Sequence, residues 1–177
     1  MAVYKSNQVN YKTPCLTADE KGDLVTDKNT VTVDTSLALG DLLLFGKLPN
    51  GHEPVDGMIV SDQIDSNGTP LLTLSVGILN DAGTDLVATT NFLTTSATIG
   101  RTATGSITRF DQAAGLSLAL LNAVNTTTDV GTKEDPTVAT ALLGRRNGDR
   151  IVAGKVTAAA ATKVAGNVTL CLTYRAM

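Results

Sequence analysis

Between Leu72 and Ile78 the chain alternates without a break, with Leu72, Leu74, Val76 and Ile78 on one parity and Thr73, Ser75 and Gly77 on the other. A period of two marks a half-buried β-strand, because successive side chains of extended backbone point to opposite faces. The pattern returns at the far end, where Val168, Leu170, Leu172 and Tyr174 read as inward and Thr169, Cys171, Thr173 and Arg175 as outward. Strands with one apolar face need a second layer to cover it, so the pattern constrains the chain to a layered β architecture.

The rest of the alternation extends this reading. Leu42, Leu44 and Leu48 alternate with Leu43, Phe45 and Lys47, giving a strand that is apolar on both faces. Leu48-Pro49-Asn50-Gly51 ends it, since Pro lacks a donor and Asn-Gly favours a tight turn. Val55 to Ile64 reads as the next strand, with Met58, Val60 and Ile64 on one face and Ile59 on the other, before the turn Asp65-Ser66-Asn67-Gly68. Strand, turn, strand, turn, strand at this spacing predicts an antiparallel meander. Near the C-terminus, Arg150 to Val164 and the last strand flank Ala165-Gly166-Asn167 and predict a long hairpin. Seven or eight such strands make an all-β antiparallel sandwich, of which the jelly roll is one form.

Two regions are less regular. Residues 1–36 are polar and weakly patterned, with Val31 and Val33 able to form one short strand. They read as an N-terminal arm ordered by docking, leaving residues 37–177 as the sandwich domain. In the middle, Asn80-Asp81-Ala82-Gly83 is a turn and Asn91 to Thr95 suits one helical turn. Asp111 is placed to cap a short helix through Ala113, Leu116, Leu120 and Val124, against which Gly115 counts by about 1 kcal/mol. At most one short helix is expected.

Composition narrows the function. With 14 Lys and Arg against 17 Asp and Glu, the net charge of -3 lacks the basic balance that phosphate backbones require, so nucleic acid is not an expected partner. Aromatic residues are 3% of the chain and Trp is absent, which leaves little for stacking on bases or sugars. No apolar run approaches the ~20 residues of a membrane helix, and the first residues lack the apolar segment of a secretory signal. Cys15 and Cys171 form no disulfide framework, consistent with folding in a reducing cytosol. The sequons at Asn67, Asn125 and Asn167 then read as chance in a chain with 27 threonines.

Chemistry is thinly supplied. His52 is the one histidine and falls in Asn-Gly-His-Glu-Pro, a solvated turn by sequence; a nucleophile beside it would have to be Cys15 or Cys171. Zinc needs more His and Cys than one protomer has. Asp62, Asp65 and Asn67, or Asp81 and Asp85, fit turns better than a calcium loop. Arg145, Arg146 and Arg150 surround Asn147-Gly148-Asp149. They read either as a hairpin tip showing guanidinium groups to an acidic partner or as a solvated turn balanced by Asp149, Lys133, Glu134 and Asp135. Neither catalysis nor a cofactor or metal is expected. Val3, Tyr4, Val9 and Tyr11 offer spaced apolar anchors for an arm that adds to a neighbour's edge or groove.

Two blocks resemble a known family. Gly40-Asp41, Leu43 and Phe45 to Leu48-Pro49, Val55-Asp56-Gly57-Met58-Ile59-Val60-Ser61-Asp62 and Leu72-Thr73-Leu74-Ser75-Val76-Gly77 form the first. The second is Asp149-Arg150-Ile151, Ala153, Lys155-Val156-Thr157-Ala158-Ala159 and Gly166-Asn167-Val168-Thr169-Leu170, with Leu172 and Tyr174. They are similar to the head decoration, or capsid cement, proteins of tailed bacteriophages and their virion relatives. That resemblance implies a β-sandwich or jelly roll that assembles in the host cytoplasm onto the outer capsid surface. It implies two partners, the major capsid protein and further copies of itself, a trimer being favoured. A head fibre or adhesin-like jelly roll that binds a host glycan is the alternative it leaves open.

Overall fold

The computed structural model describes residues 1–17, 23–49, 52–80, 82–86, 94–109 and 150–176. Nine strands run through them: β1 (Val3–Lys5), β2 (Leu24–Val33), β3 (Leu42–Leu48), β4 (His52–Ser61), β5 (Thr73–Ile78), β6 (Thr94–Thr98), β7 (Ser106–Arg109), β8 (Arg150–Ala158) and β9 (Gly166–Ala176). They form a five-stranded sheet, β1-β3-β8-β5-β6, facing a four-stranded one, β2-β9-β4-β7. The described residues contain no helix, and the helix expected after Asp111 lies outside them.

The pairing has a simple logic. Counting inward from both ends, β2 pairs with β9, β3 with β8, β4 with β7 and β5 with β6, all antiparallel. The chain is thus one long nested hairpin. Rolling it places alternate rungs in alternate sheets, and the β4–β9 and β5–β8 pairings close each sheet. This is the jelly-roll form of the sandwich, with β1 added in parallel along β3.

That topology corrects several local expectations. The predicted meander does not form, because β3 and β5 lie in one sheet and β4 between them in the other. The predicted C-terminal hairpin does not form either: β8 ends at Ala158, and residues 159–165 carry the chain across to β9 in the facing sheet. Periodicity reports which side chains are buried and is silent on which strand lies alongside. Thr94 and Thr95, expected in a helical turn, belong to β6. Of the β4 residues, Ile59 enters the core while Met58 and Val60 lie half-buried outside; Ile64, past the strand end, turns back in.

The arm expectation also changes. The described parts of this segment, residues 1–17 and 23–36, dock on this same chain, β1 at the edge of one sheet and β2 as a ten-residue strand of the other, with Val31 and Val33 fully buried. The sandwich therefore begins before residue 37.

The main core takes Leu72, Leu74, Val76 and Ile78 from β5 and its approach, and Val168, Leu170, Leu172 and Tyr174 from β9. Gly154 lets β8 pass close: a Cβ there would lie 2.8 Å from Leu74 and 3.0 Å from Phe45. In β3 a bulge between Leu44 and Gly46 shifts the parity, so Leu43, Phe45 and Leu48 all face the core. Leu42 and Leu44 point the other way and join Val9 and Ala153 in a second apolar cluster on the outer face.

A buried carboxylate ties the loops at one end. Asp65 is fully buried and accepts backbone N–H bonds from Leu71 (2.8 Å), Thr162 (3.0 Å), Ala161 (3.1 Å), Leu72 (3.2 Å) and Asn67 (3.3 Å). Burial alone would raise its pKa, but the Thr162, Leu71, Ala161 and Leu72 amides together outweigh it and hold the group at about 2.

Two outcomes test this account. Leu74→Ala should lower unfolding stability by about 2–5 kcal/mol in urea titration, the range for a core leucine truncated to alanine. Because Asp65 titrates lower folded than unfolded, its contribution is present above about pH 4 and is lost as pH falls toward 2. Asp65→Asn should therefore flatten the acid limb of the stability–pH curve by about 1–2 kcal/mol, allowing for screening at the exposed turn beside it.

Candidate assembly surface

The N-terminal segment, residues 1–16, lies as a strap over the edge and outer face of β3. Asp41 starts it, accepting the Ala2 N–H at 2.6 Å and the Ala38 N–H at 2.8 Å. β1 then runs in register with β3, Val3 opposite Leu42, Tyr4 opposite Leu43 and Lys5 opposite Leu44. Tyr4 packs on the main core and donates its hydroxyl to Asp34 at 3.0 Å, with Ser36 Oγ 2.9 Å away. Burial, and then the Asp34 carboxylate, raise the Tyr4 pKa despite the Ser36 contact, while Ser36 and Tyr4 lower that of Asp34.

After β1 the chain coils through a tight turn, Asn10 N donating to Ser6 O and Lys12 N to Asn7 O. The turn drops Gln8 into a polar slot. Gln8 Nε2 donates to Asp27 Oδ2 at 2.7 Å and to Pro14 O at 3.3 Å, and its Oε1 accepts from Lys47 N at 2.6 Å. Asn29 Nδ2 donates to the same Asp27 oxygen at 2.9 Å. Gly46 makes the room: a Cβ there would lie 2.6 Å from Asn29 Nδ2 and 2.7 Å from Gln8 Oε1. The inner face of β2 can hold Asp27 and Asn29 because a buried polar group is tolerated when its hydrogen bonds are met.

Tyr11 stands at the crest of the strap. It is 83% exposed, its φ is 60°, and the Lys47 ammonium sits 4.3 Å from its ring centroid. A non-glycine residue in the left-handed region is uncommon and is held there by its surroundings. Gln8, Tyr11, Lys12, Thr13, Pro14, Cys15 and Lys47 line an open hollow of about 420 Å³ beneath it. Further along, Leu16 O accepts from the Tyr174 hydroxyl at 2.7 Å, fixing the strap to β9.

The sequence-derived anchors thus divide. Val3 and Tyr11 are exposed, whereas Tyr4 is half-buried and Val9 lies in the second apolar cluster, both engaged within the chain. Arg145 and Arg146 lie outside the described residues. Arg150 does not belong to an exposed tip: it is 1% exposed at the start of β8 and donates to His52 O at 2.7 Å. His52 is likewise no solvated turn residue; it is buried in β4 with its ring edge-on to Tyr174, centroids 5.6 Å apart. Of the carboxylates considered as ligands, Asp81 lies outside the described residues and the others have other work. Asp62 accepts from Asn167 N and Asp85 pairs with Lys155 at 2.7 Å; no group of three or more metal-ligating side chains occurs among the described residues.

A second surface was not foreseen. The outer face of the four-stranded sheet carries hydroxyl pairs, Thr26 with Thr173 and Thr30 with Thr169, each 2.8 Å apart. Beside them Met58, Val60 and Cys171 are half-buried, and Ile107 of β7 is 70% exposed. A four-residue strand around one isoleucine gives too short a period for sequence reading to find.

No family model matches the chain, and no curated protein does. Two solved structures share its fold. A chain of the capsid of Ralstonia phage GP4 superposes with a TM-score of 0.70 at 24% identity, covering 99% of both chains. A chain of the cyanophage Pam1 capsid asymmetric unit superposes with a TM-score of 0.56 at 18% identity, covering 93% of both.

The two sides of the strap should separate by mutation. Gln8→Ala should cost about 1–3 kcal/mol, since it leaves Lys47 N and Asp27 short of partners in a buried slot. Tyr11→Ala should change stability by no more than about 0.5 kcal/mol. Urea titration of both variants beside the wild type checks the contrast.

Proposed function

We propose that this protein is a bacteriophage virion structural protein, a decoration or cement protein that binds the outside of the capsid and stabilises the head. The observation that supports this most is the end-to-end superposition on a chain of the GP4 capsid, 99% of each chain at a TM-score of 0.70. A match of that extent concerns the whole jelly roll together with its strap, rather than a sandwich shared by many unrelated proteins. The physical profile agrees: the described residues place exposed apolar groups on the strap and the outer sheet face, and the net charge of -3 suits protein surfaces better than nucleic acid.

In this reading the major capsid protein and further copies of the chain, three by preference, are the partners. Val3 and Tyr11 are the contact residues on the strap, with Arg145 and Arg146 as further candidates. Symmetry lets each contact be modest, because several engage one lattice together and the later ones bind at high effective concentration. Tyrosine suits such a contact, giving a large rigid surface at small entropic cost.

The test mixes the purified chain with empty shells of the phage that encodes it and sediments them. Saturable co-sedimentation is expected, with shells that survive to higher temperature; Tyr11→Ala should weaken binding about tenfold or more while staying folded. Light scattering should report a trimer. A monomer that stays in the supernatant would sink the proposal, and reproducible hits on a glycan array would favour the head-fibre alternative instead.

A further inference from the structure

We propose that Asn67–Gly68 is a site of spontaneous self-modification, at which the asparagine side chain is converted to aspartate and isoaspartate through a cyclic imide. The turn has the parts this chemistry needs. The Gly68 N–H makes no hydrogen bond among the described residues, Gly68 is exposed, and outside its chain neighbours no atom lies within 4 Å of where a Cβ would stand. Asn67 Oδ1 accepts the Thr69 N–H at 2.8 Å, which polarises Cγ and places a donor where negative charge gathers when Cγ becomes tetrahedral. The departing nitrogen, Nδ2, donates to Thr162 Oγ1 at 3.1 Å. Ser66, Asn67, Gly68 and Thr69 are all exposed, so water and hydroxide reach the turn.

The reaction balances with water alone. Gly68 N loses its proton to hydroxide and bonds to Asn67 Cγ, whose carbonyl electron pair moves to Oδ1. The tetrahedral carbon collapses, the Cγ–Nδ2 bond breaks, and Nδ2 leaves with a proton as ammonia. Water then opens the five-membered imide at either carbonyl. Breaking the new bond to Cγ gives aspartate; breaking the original peptide bond gives isoaspartate, with the main chain rerouted through the side chain. Nothing is oxidised or reduced.

Position 67 makes the event consequential. Asn67 N is one of the five amides on the buried Asp65 carboxylate. A new negative charge two residues away opposes that carboxylate's ionisation, and the isoaspartate form also adds one carbon to the main chain between residue 67 and the Leu71 and Leu72 amides that bond Asp65. The modification would therefore loosen the tie between residues 65–72 and 161–162.

The full chain is incubated in mildly alkaline buffer and mapped by mass spectrometry that distinguishes aspartate from isoaspartate, with isoaspartyl methyltransferase labelling as a second readout. Both products are expected at 67, and Gly68→Ala, whose methyl enters open space, should slow their appearance several-fold. If position 67 stays an amide while a short peptide of residues 65–70 converts, the fold protects the site and the proposal fails. Asn67→Asp, which mimics one product, should move the midpoint of acid unfolding to higher pH; an unmoved midpoint would overturn the link to Asp65.

Discussion

Strand β9 is hydrogen-bonded along both edges, to β2 on one side and β4 on the other, while every second residue faces the opposite sheet. Its inward row, Val168, Leu170, Leu172 and Tyr174, is the apolar ridge on which the five-stranded sheet rests. Because this last strand pairs with the first long one, the fold closes only when the ends of the chain meet. The sandwich depends on that contact, and the strap depends on it in turn, through the Tyr174 hydroxyl that fixes Leu16.

Around this frame the molecule alternates two ways of holding irregular backbone. Where side chains are apolar it packs them, as in the small cluster of Val9, Leu42, Leu44 and Ala153 outside the sandwich. At two places where polar groups are buried it surrounds them with hydrogen-bond partners: Asp65 gathers five amides, and Gln8 bridges Asp27, Pro14 and Lys47. Both devices fasten loops to the sheets without a disulfide, which suits a chain whose cysteines are not paired to each other.

The strands with the cleanest alternation were legible from the sequence, β5 and β9 almost residue by residue, because one face of each is buried along its length. β2 was not, beyond Val31 and Val33. Its inward positions Asp27 and Asn29 break the apolar period, and the partner that makes them tolerable, Gln8, lies far off in sequence. Neighbour relations were also hidden, since a roll places consecutive strands in different sheets while leaving their periodicity unchanged. Of the anchors expected on the N-terminal segment, Val3 and Tyr11 are exposed, while Tyr4 and Val9 pack within the chain. Arg150 and His52 were misplaced for a common reason: a turn-rich local sequence gives no sign that tertiary packing will cover it.

The parallel pairing of β1 has one more implication. Sheets grow by accepting strands at unprotected borders, and a β3 border left bare would offer seven residues of mainly leucine and phenylalanine to any passing copy. A three-residue cover, ending where the chain bends away at Ser6, leaves too short a template there for fibre growth. The strap thus does at this border what a charged or bulged edge strand does elsewhere, closing the β3 edge to open-ended addition of further strands.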